Sequence, residues 1–448
     1  MTGRRLTRST FPSAVHASSL ADGSPAPSRP PVRAGIRAGA ALVACAALTV
    51  GCGAGPGLPG GDGASEITVM TWAPEKTDAT NKPGMPAFAR AYARGINAKG
   101  GLGGRKLRVL TCNDNNSSVG AAKCAERAVK ERAVAVVGSY SQHATSFFPI
   151  LESAGIPYIG GSGTTSAEFT SPLSYPVNGG QPALLAGLGK ELAAECGTAV
   201  LVRPDTIAGD ELPALFNAGL AAGGGKAAGD LRAPEDATAY TGPSQQALER
   251  ATADPLTDGA CVVPALGDRT STFMDSFRRV REDYQHVRTG TVLGSVDQTA
   301  IDASGGRSGP YEGSYVTGWY PVATDARWDP MKKVISEQAF TDTRIDPGDA
   351  GVQTTWIAYT VFEAAVDSLG GGDVNADTVR RALDSGMRID TGGLTPDLRW
   401  EFSGALGSVG YPRLVNANVT LQLVREGQLV AAGDGFLDVT QTLADADT

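Results

Sequence analysis

An α/β fold made of two doubly wound parallel-sheet units follows from three features of the sequence. Short apolar runs alternate with segments whose apolar residues recur every three or four positions. The alternation resumes after residue 180 and continues. The chain has 448 residues, and two units of about 110 to 130 residues fit that length better than one.

Each element has its own signal. Glu66 to Thr71 is a short apolar strand. Met85, Phe88, Ala89, Tyr92, Ala93 and Ile96 then share one helical face, which Gly100 and Gly101 end. Leu107 to Leu110 is the second strand, and Ala121, Cys124, Ala125, Ala128 and Val129 form the next helical face. Val134 to Val137 is a β-branched strand, Ala144 to Ala154 a helix, and Ile156 to Ile159 a strand. A helix is expected from about Pro182 to Ala194 and a strand from Ala199 to Val202. Leu212, Leu215, Phe216 and Leu220 mark a helix, Val262 and Val263 a strand, and Phe273, Met274, Phe277, Val280 and Tyr284 a helical face. Strict strand–helix alternation means parallel sheets covered on both sides. Near the end, Val419, Leu421 and Leu423 alternate with polar residues, and Glu426-Gly427 turns the chain into Leu429-Val430, a small hairpin.

Composition narrows the function classes. The net charge is −8, with acidic and basic residues mixed along the chain. No basic stripe with interleaved aromatics is present, which argues against nucleic acid as a partner. Residues 1–65 are expected to lie outside the fold. Residues 1–34 are rich in Ser, Pro, Arg and Ala and have little to bury. Arg33 and Arg37 precede an apolar run from Ala38 to Val50, too short to span a bilayer and suited to a signal-peptide core. The run ends in Thr49-Val50-Gly51-Cys52, which resembles a lipoprotein signal with Cys52 as the lipid attachment site. Leu42-Val43-Ala44-Cys45 is the competing match, and Gly53 to Gly57 reads as a tether. The expected location is extracytoplasmic, anchored by lipid to the outer face of the cell membrane.

Four further cysteines suit an exported chain. Cys112 ends a strand and Cys124 sits on the following helix, so a Cys112–Cys124 bridge is expected. Cys196 and Cys261 each precede a strand, and their sulfurs meet if those strands are neighbours. Four buried thiols are the alternative. Their spacing does not suit zinc, no metal site is expected, and no cofactor is called for. Gly100 to Gly104 follow a helix and precede a strand, the reverse of a phosphate-binding loop, and read as a turn.

Several stretches resemble, in order, the periplasmic leucine/isoleucine/valine-binding protein family, with its type I periplasmic binding fold. They are Asn97 to Gly104, Asp114, Val134 to Ser141, Ala154-Gly155-Ile156-Pro157, Tyr359 to Ala365 (with Thr360 in place of the family's Asp), Thr378 to Leu383, and Glu426 to Val430. The resemblance spans residues 66 to 432. It implies two lobes joined by three crossing segments. The first would hold residues 66–177 plus 313–388 and the second 178–312 plus 389–440, with 441–448 as a tail. It also implies a ligand cleft between the lobes and the substrate-binding role of an ABC importer, with permease subunits as partners and an amino acid or similar small polar molecule as ligand.

Strand-end loops converge on the crevice in such folds. Trp72, after the first strand, is a candidate cleft wall or equally a core aromatic. The resemblance implies that a Ser of the loop after the third strand holds the ligand carboxylate. Ser141 matches best, with Tyr140 and Gln142 as second choices, although a Ser here also fits a helix N-cap. His143 reads as a loop residue. After the fourth strand, the resemblance implies that Gly163, Thr164 and Thr165 bind the same carboxylate; a flexible turn is the alternative. The resemblance implies that the second lobe offers an acid to a ligand ammonium. Asp297 lies near the matching position, and Asp205 and Asp210 compete. No nucleophile elbow, zinc His pair or P-loop is present, and only His143 and His286 follow the leader, so catalysis is not expected. A sensor subunit of the same fold and, less so, a cleft enzyme are the alternatives.

Overall fold

The computed structural model describes residues 66–446 apart from 78–79, 207, 255–258, 285 and 402–409. Cys45, Cys52 and the rest of the leader lie outside the described residues.

The first sheet forms from β1 (Ile67–Trp72), α1 (Gly84–Ala98), β2 (Leu107–Cys112), α2 (Ser118–Lys130), β3 (Ala135–Val137), α3 (Ala144–Ala154), β4 (Tyr158–Ile159), α4 (Ala167–Thr170) and β5 (Ser174–Tyr175). Its strands are parallel in the order β2-β1-β3-β4-β5. Helix starts are fixed locally: the Ser117 hydroxyl accepts the Gly120 amide at the head of α2, while Arg127 and Lys130 complement its C-terminal end.

The second sheet follows from α5 (Gly180–Leu192), β6 (Thr198–Pro204), α6 (Leu212–Ala222), β7 (Gly229–Ala233), α7 (Thr241–Ala251), β8 (Ala260–Pro264), α8 (Thr270–Val280), β9 (Val287–Val292), α9 (Gln298–Ala303) and β10 (Tyr315–Gly318). The chain returns to the first sheet with α10 (Asp329–Gln338), α11 (Ala350–Asp367) and α12 (Ala376–Asp384). It finishes on the second with β11 (Asn418–Arg425), β12 (Gln428–Ala431), β13 (Leu437–Asp438) and α13 (Thr440–Ala446). The order is β12-β11-β10-β9-β8-β6-β7, with β13 on β11. The pairs from β7 to β10 are parallel, and β11 runs antiparallel to β10, β12 and β13.

Three segments differ from the expected boundaries. β10 pairs with β9 and β11 in the second sheet, whereas a boundary at 313 places it with the first. The stretch after residue 389 still packs on the first lobe. There Trp400 meets Tyr175 edge to face, and the Arg413 guanidinium bonds the Ser174 carbonyl at 3.0 Å. Residues 441–446 of the tail belong to α13, and its Leu443 is fully buried in the core.

The crossings are tied together by buried hydrogen bonds. Asn178 donates to the Tyr320 hydroxyl at 2.8 Å, and that hydroxyl bonds Thr354 at 2.9 Å. Asn416 donates to the Val177 carbonyl at 3.0 Å, and Thr420 donates to the Tyr320 carbonyl at 2.7 Å. Buried polar groups require such partners. One apolar cluster runs beneath both sheets, from Val69 and Ala135 to Leu201, Val263 and Val419.

Both expected disulfides form, Cys112–Cys124 and Cys196–Cys261. β6 and β8 are direct neighbours, with Ala199 opposite Cys261, which brings the second pair of sulfurs together.

Candidate functional site

The C-terminal ends of the first sheet's strands place three loops side by side. Trp72 closes β1, but its ring is fully buried, packed edge to face on Phe147 and tilted against Tyr158. It is therefore a core aromatic, with no exposed surface in this conformation, and the cleft-wall role is not what the structure gives it. All six residues of β1 are buried, Thr68 and Thr71 among them, and the strand carries the ring inward.

Tyr140 lies beside Ala73 and Met85 in a small buried cluster, and its amide donates to the Trp72 carbonyl at 3.0 Å. Burial is the main cause that pushes its phenol pKa up. Asp268 adds to the push, while Gln142 and Thr80 bond the phenol and act against it. Asp268 follows β8, in the other sheet, so a charge of the second lobe acts on a loop of the first. Asp268 was not singled out from sequence; the strand-end rule applied to β8 would have found it.

Ser141 is buried, and its hydroxyl accepts the His143 amide at 3.2 Å. It is not the N-cap of α3, since His143 holds that position and makes no side-chain cap bond. Gln142 is exposed. The His143 Nε2 is buried without a hydrogen-bond partner.

The loop after β4 meets the previous one where the Thr164 hydroxyl bonds the Ser141 carbonyl at 3.4 Å. The Thr165 hydroxyl is buried without a partner. The Gly163 and Thr164 amides both donate to the carboxylate of Glu168, at 3.2 and 3.0 Å. Sequence reasoning missed Glu168; the Thr165-x-x-Glu168 spacing is the signal that points to it.

The second-lobe acids are placed differently. Asp297 caps α9, its carboxylate accepting the Ala300 amide at 2.7 Å. Burial raises its pKa, the Ala300 bond opposes that, and Asp349, Lys82 and Asp346 of the first lobe also act on it. Asp297 thus faces the other lobe while serving its own helix. Thr299, two residues on, bonds the Asp346 carboxylate at 2.6 Å across the same gap. Asp210 instead pairs with Arg203 at 2.7 Å, and Asp205 with Arg232 at 3.6 Å, so both are held by arginines of their own lobe.

A small cavity of about 40 Å³ sits near the second crossing, lined in part by Leu293, Gln298, Val322, Gln353 and Gln422. Among the described residues no group of His, Cys, Asp and Glu could hold a metal ion, and no helix is long and apolar enough to cross a membrane.

Comparison with known proteins adds the following. A family model described as periplasmic binding protein matches residues 77–408. No curated protein sequence matches the chain. An extracellular ligand-binding receptor from Verminephrobacter eiseniae superposes with a TM-score of 0.67 at 16% identity, covering 82% of this chain and 99% of that one. A leucine-binding protein from Thermotoga maritima superposes at 0.63 and 13% identity, covering 83% and 99%. A solute-binding protein of an ABC transporter from Rhodopseudomonas palustris, solved with 3,4-dihydroxy benzoic acid, superposes at 0.64 and 16% identity, covering 83% and 97%. At these identities the likeness is one of fold.

Proposed function

Because the chain belongs to the periplasmic binding protein family, whose members are extracytoplasmic ligand-binding transport proteins, we propose that it is the ligand-capture subunit of an ABC importer. On this reading it closes its two lobes on an amino acid or a small aromatic acid and delivers it to permease subunits. Lipid on Cys52 would hold it to the membrane.

The observation that carries the reading is the close approach of the two lobes at their strand ends, where the Thr299 hydroxyl bonds the Asp346 carboxylate at 2.6 Å. Beside it, Asp268 of the second lobe adds to the burial that raises the pKa of the Tyr140 phenol in the first. A ligand bound there touches both lobes at once, and closure around it is a hinge motion about the three crossings. The His143 Nε2 and Thr165 hydroxyl, buried without partners, are groups that a polar ligand would satisfy. Asp268 and Asp297 are the acids that a ligand ammonium would meet.

A thermal-shift screen of ligand-stripped protein against amino acids and small aromatic acids tests the proposal. A ligand at about 100 times its Kd adds about 2.7 kcal/mol of stability. Small-angle scattering should then report a smaller radius of gyration with that ligand. Stabilisation without compaction would sink the two-lobe capture mechanism, and turnover of the ligand would replace it with an enzymatic one.

A further inference from the structure

Glu168 is 2% exposed, and its side chain turns back from α4 into the loop that follows β4. One carboxylate oxygen accepts the Gly163 amide at 3.2 Å; the other accepts the Thr164 amide at 3.0 Å and the Thr164 hydroxyl at 3.3 Å. The Thr165 backbone also bonds it. Gly161 leaves space for it, since a Cβ there would come within 2.3 Å of the carboxylate. Converging amides and a hydroxyl form the donor set that binds a carboxylate. Here the chain fills that cradle itself.

We infer that Glu168 stands in for a ligand carboxylate at Gly163 and Thr164, so that this loop is closed to the acidic end of a ligand. A second carboxylate at the same donors would meet a like charge at close range, which a buried site disfavours. Thr165, with its unpartnered hydroxyl, is a polar contact that the loop still offers, and it suits a neutral group. A ligand carboxylate is left to the loop of Ser141 and His143 at the head of α3. The consequence for ligand choice rests on the capture reading above; the self-filled cradle does not.

The test empties the cradle with Glu168→Ala in the full chain and titrates acetate against chloride at equal ionic strength. Acetate is expected to raise the variant's melting midpoint by several degrees more than the wild type's. It should also restore protection from hydrogen exchange at the Gly163 and Thr164 amides, which are protected in the wild type without acetate. Equal responses in the two proteins, or no response in the variant, overturn the inference. If Glu168→Ala does not fold, Glu168→Gln keeps the shape and removes one acceptor. Faster exchange at the same two amides is then expected, and unchanged exchange rejects the inference. Acetate needs no native ligand, so a failed ligand screen and a failed cradle are separate results.

Discussion

The strand-end loops of the two sheets differ in where their polar groups go. In the first lobe they turn inward: Ser139, Ser141, Ser162 and Glu168 are all buried, and Thr164 bridges two loops. In the second, Asp205 and Asp210 stand more than half exposed, paired with Arg232 and Arg203. Buried polar groups hold one geometry because each lost bond costs about 1–3 kcal/mol. The Asp205–Arg232 pair, exposed on both sides, contributes about 0–1 kcal/mol and is screened by salt, whereas Asp210 reaches a buried Arg203. The comparison teaches that the strand-end polar groups of the first lobe are held by buried bonds, while those acids of the second lobe stand in solvent.

The largest test of this contrast uses the disulfides. Each lobe has one, with sequence separations of 65 for Cys196–Cys261 and 12 for Cys112–Cys124. Chain-entropy reasoning assigns about 4 kcal/mol to the longer loop and about 3 kcal/mol to the shorter. Replacing each pair by serine and measuring denaturant midpoints should rank the second-lobe variant as the less stable. The opposite ranking would mean that the first lobe depends more on its staple than its buried bonds suggest.

A sharper test compares two glycines. A Cβ on Gly163 would come within 2.5 Å of the Gly180 Cα and the Phe169 ring, at a φ of +57°. On Gly294, in the second lobe at a φ of +94°, it would meet nothing within 4 Å. Gly163→Ala is expected to cost about 3 kcal/mol or more, combining overpacking and left-handed strain. Gly294→Ala should cost about 1–2 kcal/mol, from backbone strain alone. Equal losses in chemical denaturation would remove the contrast in rigidity.

The smallest effect lies on α5, which packs on the second sheet. Burial, with Glu195 adding to it, pushes the Glu191 pKa up to about 8, and one of its oxygens is buried without a partner. The folded chain therefore holds this proton more tightly than the unfolded one. The stability it contributes is complete below the ordinary carboxyl pKa and is lost as pH rises to about 8. With allowance for screening, the loss is on the order of 1 kcal/mol. Glu191→Gln should flatten the stability profile between pH 5 and 8 and be the more stable protein at pH 8. A parallel profile for the two proteins would place the carboxyl in solvent.

Much of the fold was legible because its signals are local. The faces of α1, α2 and α8 follow a helical period, and β1 and β3 are apolar runs. The match of Ala144 to Ala154 with α3 needs nothing beyond residues 144–155, where Gly155 ends the helix in a left-handed conformation. β7 and α7 escaped notice because polar residues fill them; β7 buries only Leu231 and Ala233. In the candidate site, the strand-end loops named from sequence lie side by side, while individual side chains have partners that sequence did not foresee. Trp72 had two readings of equal weight, and neighbours more than sixty residues away decided between them.

The sequence by itself determined the alternation of strands and helices, the glycine turns, and cysteines placed to bridge if their strands met. These depend on backbone preferences and side-chain periods that act within a few residues. Only the tertiary structure decided that β10 joins the second sheet, that Asp297 caps its own helix, and that Thr299 bonds Asp346 of the first lobe. Strand pairing, burial and electrostatic contact are properties of neighbours in space, and no local pattern in a single chain encodes which distant residues those neighbours will be.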